Sequence, residues 1–189
     1  MMENAKTNDV VASGLIARPE SSEAAKAVGK YFFECYDKDG NLKWTAESKN
    51  LVVNVGLQFM ANSLYAVTTI SAWYIGLYGA GASNTPAAGD TMSSHAGWTE
   101  NTTYSNATRP AATFAAATTA SPSVVTNTAN KATFNINGST TVGGAFLTSD
   151  STKGGTTGTL FSASDFTGGD RSVVNGDTLQ VTYQFSLSA

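Results

Sequence analysis

The last stretch of the chain, Asp177 to Ser188, alternates strictly between large apolar and polar residues. Its apolar positions are Leu179, Val181, Tyr183, Phe185 and Leu187. A period of two places all five of these side chains on one face of a β-strand. A strand that is apolar on one face and polar on the other is typical of an antiparallel sheet covered on a single side. The rest of the chain must therefore supply a second layer that covers this face.

Short strand patterns separated by turn residues recur upstream. They predict an aromatic hairpin over 30–47, a strand over 71–78, a weaker Ala/Thr-rich strand over 111–120, and a strand pair over 131–137 and 140–148 joined by Asn137-Gly138. Gly143-Gly144 inside the last strand indicates a bulge or a close backbone approach. Seven to nine short strands predict an all-β fold, an antiparallel β-sandwich of the jelly-roll-like or Ig-like type.

One helix is predicted, over Asn50 to Val67. Val52, Val55 and Phe59 follow the three- and four-residue spacing of a helix with one packed face. Asn50 or Asn54 could cap its first turn. A single helix in such a protein is expected to close one end of the sandwich.

The N-terminal segment, residues 1–28, differs from the sandwich domain predicted over 29–189. It has no aromatic residue and no sustained period, so it cannot bury enough apolar surface to fold alone. Two interpretations stay open, a disordered tail and an extended arm that orders on a neighbouring subunit. In the second, the anchors that bind a capsid or another partner are two apolar pairs, Val10, Val11, Leu15 and Ile16.

Charge is sparse and unevenly distributed. The formal net charge is −3, and charged residues make up 13% of the chain, against about a quarter in typical proteins. Residues 51–149 contain only Asp90, Glu100, Arg109 and Lys131. This balance argues against nucleic acid as a partner, because neutralising phosphates needs clustered Lys and Arg. A Thr-rich surface with few charges suits either an all-β protein in general or a protein packed against copies of itself or a larger assembly.

The sequence shows no pattern of a membrane span, a secretory signal peptide or a disulfide-bonded protein. No apolar run reaches the roughly 20 residues of a membrane span, and no apolar signal-peptide core is seen. Cys35 is the single cysteine, so no intrachain disulfide or cysteine-based zinc site can form. We expect a protein made in a reducing cytoplasm and bound to no membrane.

Catalytic and metal patterns are weak throughout. His95 is the single histidine and lies in a polar loop without a nucleophile motif. Asp37 and Asp39 beside a glycine lack the later ligands of a calcium loop. Asp90 and Glu100 share one loop, but nothing marks them as a glycosidase pair. The sequence predicts a protein that is not an enzyme and that has no catalytic residue, cofactor or metal.

From Tyr31 onward, the order of short phrases resembles a family of tailed-bacteriophage, podovirus-like virion proteins. The matching phrases are Phe33-Glu34-Cys35 to Trp44, Asn50 to Leu57, Trp73-Tyr74-Ile75-Gly76-Leu77, Thr85 to Thr91, Tyr104 to Pro110, Asn130 to Phe134, Gly144-Ala145-Phe146-Leu147, Thr157 to Phe161, and Val174-Asn175-Gly176-Asp177. The resemblance covers the sandwich domain and leaves out the N-terminal arm. None of these phrases is a catalytic motif.

The resemblance implies a structural virion protein of the capsid decoration or cement type. Such a protein is made in the host bacterial cytoplasm, forms a homo-oligomer, and binds the major capsid protein on the capsid surface, where it stabilises joints between capsomers. Two alternatives remain. One is a collar, tail-spike or fibre-base component. The other is a carbohydrate-binding module, in which aromatic residues stack on sugar rings, with Trp98 and Tyr104 as possible surface-loop contacts and Trp73 as a further candidate.

Overall fold

Two antiparallel β-sheets face each other in the computed structural model, which describes residues 26–65, 69–79 and 85–188. The all-β sandwich with one helix is therefore confirmed. In chain order the strands are β1 (Lys26–Tyr36), β2 (Leu42–Lys49), β3 (Leu51–Val52), β4 (Tyr74–Gly79), β5 (Glu100–Asn101), β6 (Ser123–Thr126), β7 (Ala132–Asn135), β8 (Thr140–Thr148), β9 (Leu160–Asp165), β10 (Arg171–Val173) and β11 (Thr178–Ser188). The helix α1 spans Asn54–Leu64, and a single 3-10 turn spans Thr128–Asn130.

The first sheet is built around β11. Its strands run in the order β2-β1-β11-β6, and β7 also pairs with β11. β1 pairs with β11 along its whole length, from Lys26 opposite Ser188 to Tyr36 opposite Thr178. β7 and β6 follow one another along the other edge of β11. Asn127 fills the gap between them, because its side-chain oxygen accepts a hydrogen bond of 2.6 Å from the backbone N–H of Tyr183.

The second sheet is built around β8. Its strands run in the order β3-β9-β8-β4-β5, and β10 pairs with the start of β8. The predicted close approach at Gly143-Gly144 is confirmed. A Cβ atom on Gly144 would overlap the carbonyl oxygen of Ser164 and the phenol oxygen of Tyr78. A side chain at this position would therefore push β8 away from its neighbours.

The core lies between the sheets and is lined by the alternating face of β11. Leu179, Val181 and Tyr183 are fully buried. Tyr183 packs against Tyr31 of β1 at a ring distance of 4.7 Å. The hydroxyl of Tyr31 lies 2.9 Å from Ser162 Oγ of the opposite sheet, so this tyrosine joins the two layers. Apolar burial and satisfied polar links between the layers, of which this is one, thus hold the sandwich closed.

The helix is shorter than predicted, and neither expected cap is used. Residues Leu51–Val52 pair with β9 as a strand, so α1 begins at Asn54 and not at Asn50. Val53 occupies the N-cap position, and no side chain caps it. The Asn50 amide instead donates a hydrogen bond of 2.9 Å to the hydroxyl of Tyr183. The predicted end at Val67 lies outside the described residues.

Two further predictions are wrong, one of a hairpin turn and one of a strand. Asn137-Gly138 does not close a hairpin, because β7 belongs to the first sheet and β8 to the second, so the chain crosses between the layers at this turn. Residues 111–120 form no regular strand. The backbone N–H groups of Ala115 and Thr118 bond to Thr126 and Val124, so this segment lies along the edge of β6 without an extended ladder.

The sandwich also begins earlier than predicted. Lys26, Ala27 and Val28 pair with the end of β11, so they belong to β1 and not to the N-terminal segment. The arm residues Val10, Val11, Leu15 and Ile16 lie outside the described residues.

We predict that Gly144→Ala lowers the free energy of unfolding by about 3 kcal/mol, the upper range for overpacking, because the backbone carbonyl of Ser164 and the buried phenol of Tyr78 occupy the position. Gly89→Ala is the matched control. Gly89 is exposed and a Cβ there meets nothing within 4 Å. The control should change stability by less than about 1 kcal/mol. Urea unfolding of both variants measures the difference, and equal stabilities would contradict the close approach at Gly144.

Candidate functional site

An apolar groove opens between α1 and one end of the sandwich. Its volume is about 430 Å³, and none of the described residues that line it is charged. α1, β9 and β11 contribute most of the wall, together with segments next to β4 and β6. The principal lining residues are Phe59, Trp73, Phe114, Phe161, Phe185 and Leu187.

Edge-to-face aromatic contacts hold the wall of the groove in shape. The ring of Trp73 lies 5.2 Å from Phe59 of α1 and 5.5 Å from Phe161 of β9. Phe161 in turn packs edge-on against Phe185 of β11 at 5.7 Å. Aromatic pairs favour this perpendicular geometry. The groove is thus a preformed surface whose walls come from both sheets and from the helix.

The groove exists because the apolar face of β11 extends beyond the core. The first three members of its alternating stripe are buried, Phe185 is half-buried, and Leu187 is 41% exposed. The sequence pattern predicts that a second layer covers all five positions. Phe185 is only partly covered, and the prediction is wrong for Leu187. The second sheet does not extend over the end of β11. At that end β1 begins beside β11 in the same sheet, and the apolar face of β11 opens into the groove.

Exposed apolar side chains of α1 continue the rim of the groove. Leu64 lines the groove and is 81% exposed, and Tyr65 follows it directly. Leu57, seven residues before Leu64, is also exposed. Positions seven apart lie on the same side of a helix, so the outer surface of α1 carries apolar side chains where solvent-facing positions are usually polar.

A second, smaller cavity lies on the other side of α1, with a volume of about 290 Å³. Its lining mixes apolar residues with Gln58, Asn62, Thr91 and Thr159. No charged residue is among the described residues that line it. It offers hydrogen bonding but carries no group suited to proton transfer.

The two aromatic residues predicted as surface-loop contacts are buried. Trp98 is 3% exposed, its ring stacks on His95 at 3.9 Å, and its indole N–H donates to Asp90 at 2.8 Å. Tyr104 is also buried, edge-on to Phe134 at 5.0 Å. Large aromatic rings gain much free energy by leaving water, because each has a large apolar area. In this structure both rings are buried by the conformation of their loops. Neither can stack on a sugar, so this basis for a carbohydrate-binding module is wrong.

Cys35 and His95 hold structural positions. Cys35 is buried, and burial raises the pKa of its thiol to about 11. Nearby Asp177 adds to that rise. His95 Nδ1 lies 2.8 Å from the carbonyl oxygen of Trp98 in the same loop. Within 26–65, 69–79 and 85–188, no three His, Cys, Asp or Glu residues are grouped so as to hold a metal ion.

A buried ion pair organises the loops at the side of the second sheet. Arg109 Nε and Nη2 donate to the two carboxylate oxygens of Glu100 at 2.9 and 2.7 Å. The same guanidinium donates to the carbonyl oxygens of Asp150 and Gly155. Two parallel hydrogen bonds to a carboxylate fix geometry as well as charge. Arg109 therefore joins β5 to the loop between β8 and β9.

We predict that Arg109→Met lowers the free energy of unfolding by about 3–5 kcal/mol, because it leaves the buried carboxylate of Glu100 without its counter-ion. Lys38→Met is the control, since Lys38 pairs with Asp39 on the surface, with both side chains largely exposed. The control should change stability by less than about 1 kcal/mol. Equal effects in thermal or urea unfolding would show that the Arg109–Glu100 pair does not hold these loops.

Sequence reasoning missed the groove itself. Periodicity places Phe59 and Phe185 on the packed faces of their elements, because it cannot distinguish a core residue from a groove wall. Trp73, a candidate for sugar stacking in the sequence, lines the same groove. The available signal was on the helix, where Leu57 and Leu64 lie among the positions expected to be polar.

Comparison with known proteins does not identify a family for this chain. The chain matches no protein-family model, no curated protein and no solved structure. Among the described residues, no helix is both long and apolar enough to cross a membrane.

Proposed function

We propose that the chain is a structural protein of a bacteriophage virion, which binds the outside of the capsid and stabilises the joints between capsomers. The observation that carries the proposal is the near absence of free charge from the surface formed by residues 51–149. The resemblance of the phrases from Tyr31 onward to tailed-bacteriophage virion proteins supports the same function.

The four charged residues of this region are all engaged within the molecule. Asp90 is buried and accepts hydrogen bonds from the indole of Trp98 and the backbone N–H of Ala87. Glu100 and Arg109 form the buried pair described above. Lys131 reaches the surface but pairs with Glu34 at 2.7 Å. The described part of 51–149 therefore presents no unpaired charge to solvent.

Small uncharged side chains fill the surface in place of charges. The run from Ala115 to Pro122 is exposed throughout and consists of Ala, Thr, Ser and Pro. Hydrogen bonds to β6 hold its backbone in place, including Thr118 Oγ1 accepting from the N–H of Val124 at 2.8 Å. Such residues lose little side-chain entropy when they are packed against another subunit, and they expose no ion that must be desolvated.

This surface suits attachment to a shell. A protein that binds the joined capsomers, and not the separated ones, stabilises the shell by mass action. The partners in the proposal are the major capsid protein and neighbouring copies of the chain. The exposed side chain of Leu57 on α1 adds apolar contact area within this charge-poor surface.

We predict that the chain is present in purified virions of the phage that encodes it, in a number comparable with that of the major capsid protein. A decoration protein occupies sites repeated over the whole shell. Quantitative mass spectrometry with isotope-labelled reference peptides measures the copy number, and immunogold labelling shows where the protein lies.

A low copy number matching the rotational symmetry of the tail, with label at one vertex, would place the chain in the collar, tail spike or fibre base. Absence from purified particles would contradict a virion function altogether.

A further inference from the structure

We propose that the apolar groove is the docking site of the chain's own N-terminal segment, residues 10–17, within the same molecule. The described residues leave the groove open, and the segment that precedes Lys26 is joined to its rim. The docking concerns the single subunit, so it holds or fails whether or not the chain binds a shell.

The point of attachment lies at the groove. β1 begins at Lys26 opposite Ser188, and its next residue, Ala27, is opposite Leu187. Leu187 is one of the residues that line the groove. Directly opposed residues of antiparallel strands lie about 5 Å apart. The chain therefore enters the sandwich beside the opening.

The connecting length is sufficient to reach the groove. Nine residues lie between Ile16 and Lys26, so ten Cα–Cα steps join them. They span at most about 33–36 Å when fully extended, far more than the few ångströms between Lys26 and the rim. A partner joined by so short a connection is present at an effective concentration in the millimolar range. It has an advantage over any free ligand at ordinary concentrations.

The chemistry of the segment matches that of the groove. Residues 10–17 are the longest run without a charge in the first 26 residues, bounded by Asp9 and Arg18. Within the run lie the two apolar pairs, Val10-Val11 and Leu15-Ile16. The groove has no charged lining residue among those described and is almost wholly apolar. Placing residues 10–17 in the groove removes the apolar surfaces of both from water without burying a charged group.

The volume also fits. A cavity of about 150 Å³ accepts a benzene molecule. The groove, at about 430 Å³, has room for two or three aliphatic side chains. One apolar pair with a neighbouring side chain would fill it, while the rest of the segment lies along the exposed rim of α1.

A disulfide in the full-length chain tests the docking. In the double variant Leu15→Cys/Leu187→Cys, a docked segment brings the two thiols together, and added oxidised glutathione, which is itself reduced to two thiols, accepts the two electrons as the disulfide forms. Cys35 is buried and its thiol has a raised pKa of about 11, so it does not compete. We expect a monomeric cross-linked species on a non-reducing gel, at a rate independent of protein concentration.

Three further variants separate docking from mere proximity to the attachment point. Adding Val11→Asp and Ile16→Asp keeps the connection but places charges in the apolar groove, and should slow the cross-link at least about tenfold. Adding Thr7→Asp, outside the segment, should leave the rate unchanged. Leu15→Cys/Val174→Cys pairs the segment with a side chain of similar exposure, 45% against 41%, beyond the opposite end of β11. It should cross-link at least about tenfold more slowly.

A cross-link rate unaffected by the two aspartates would overturn the proposal. Covalent dimers in place of the monomer would show that the groove takes the segment of a second copy, and would overturn docking within one molecule. If the cysteine variants do not fold, fluorescence of the otherwise unmodified chain decides. Acrylamide should quench the tryptophan fluorescence more strongly in Val11→Asp/Ile16→Asp than in Thr7→Asp, because Trp73 lines the groove whereas Trp44 and Trp98 do not. Equal quenching would contradict the docking.

Discussion

The structure depends on covering the apolar face of β11. That strand is apolar on one side over its whole length, and no single sheet can bury it. β1 holds it from one side, β6 and β7 hold it from the other, and the second sheet covers its inner face. Where the cover ends, Phe185 and Leu187 become the wall of a groove. One strand therefore accounts for both the core and the candidate binding surface.

Local periodicity predicted much of this fold. The strands β7 and β11 and the hairpin of β1 and β2 follow from alternation and turn residues, because both signals act over a few neighbouring residues. The crossing at Asn137-Gly138 could not be predicted in this way. A turn dipeptide specifies a change of direction, but long-range pairing decides which sheet receives the next strand. Asn50 shows the same competition, since strand pairing of Leu51 and Val52 displaced the expected start of the helix.

The candidate site was less predictable than the fold. Trp98 and Tyr104 lie in long loops, where exposure is the usual expectation, yet aromatic burial draws both inward. Phe59 and Trp73 have the spacing of core residues and line an open groove. A pattern of apolar residues shows that side chains leave water. It does not show whether the cover comes from the same domain, another segment or another molecule.

The charge distribution joins the fold to the proposed function. Asp90, Glu100 and Arg109 are internal, so most of the surface between residues 51 and 149 consists of small neutral side chains and exposed apolar ones. The charged side chains concentrate elsewhere, on the β1–β2 hairpin and around the turn before β10. In our account the neutral surface faces the shell and the charged regions face solvent.

We propose to test whether the neutral surface faces the shell and the charged regions face solvent. The most direct test measures how two matched variants bind to shells assembled without the protein. Ala116→Glu introduces a charge into the exposed neutral segment, and Ser172→Glu introduces the same charge at an exposed position next to Asp170 and Arg171. The account predicts that Ala116→Glu binds at least about tenfold more weakly in co-sedimentation, because a charge buried at an interface without a partner is costly, while Ser172→Glu binds like the unmodified chain. Equal binding by the two variants, or a loss confined to Ser172→Glu, would contradict it.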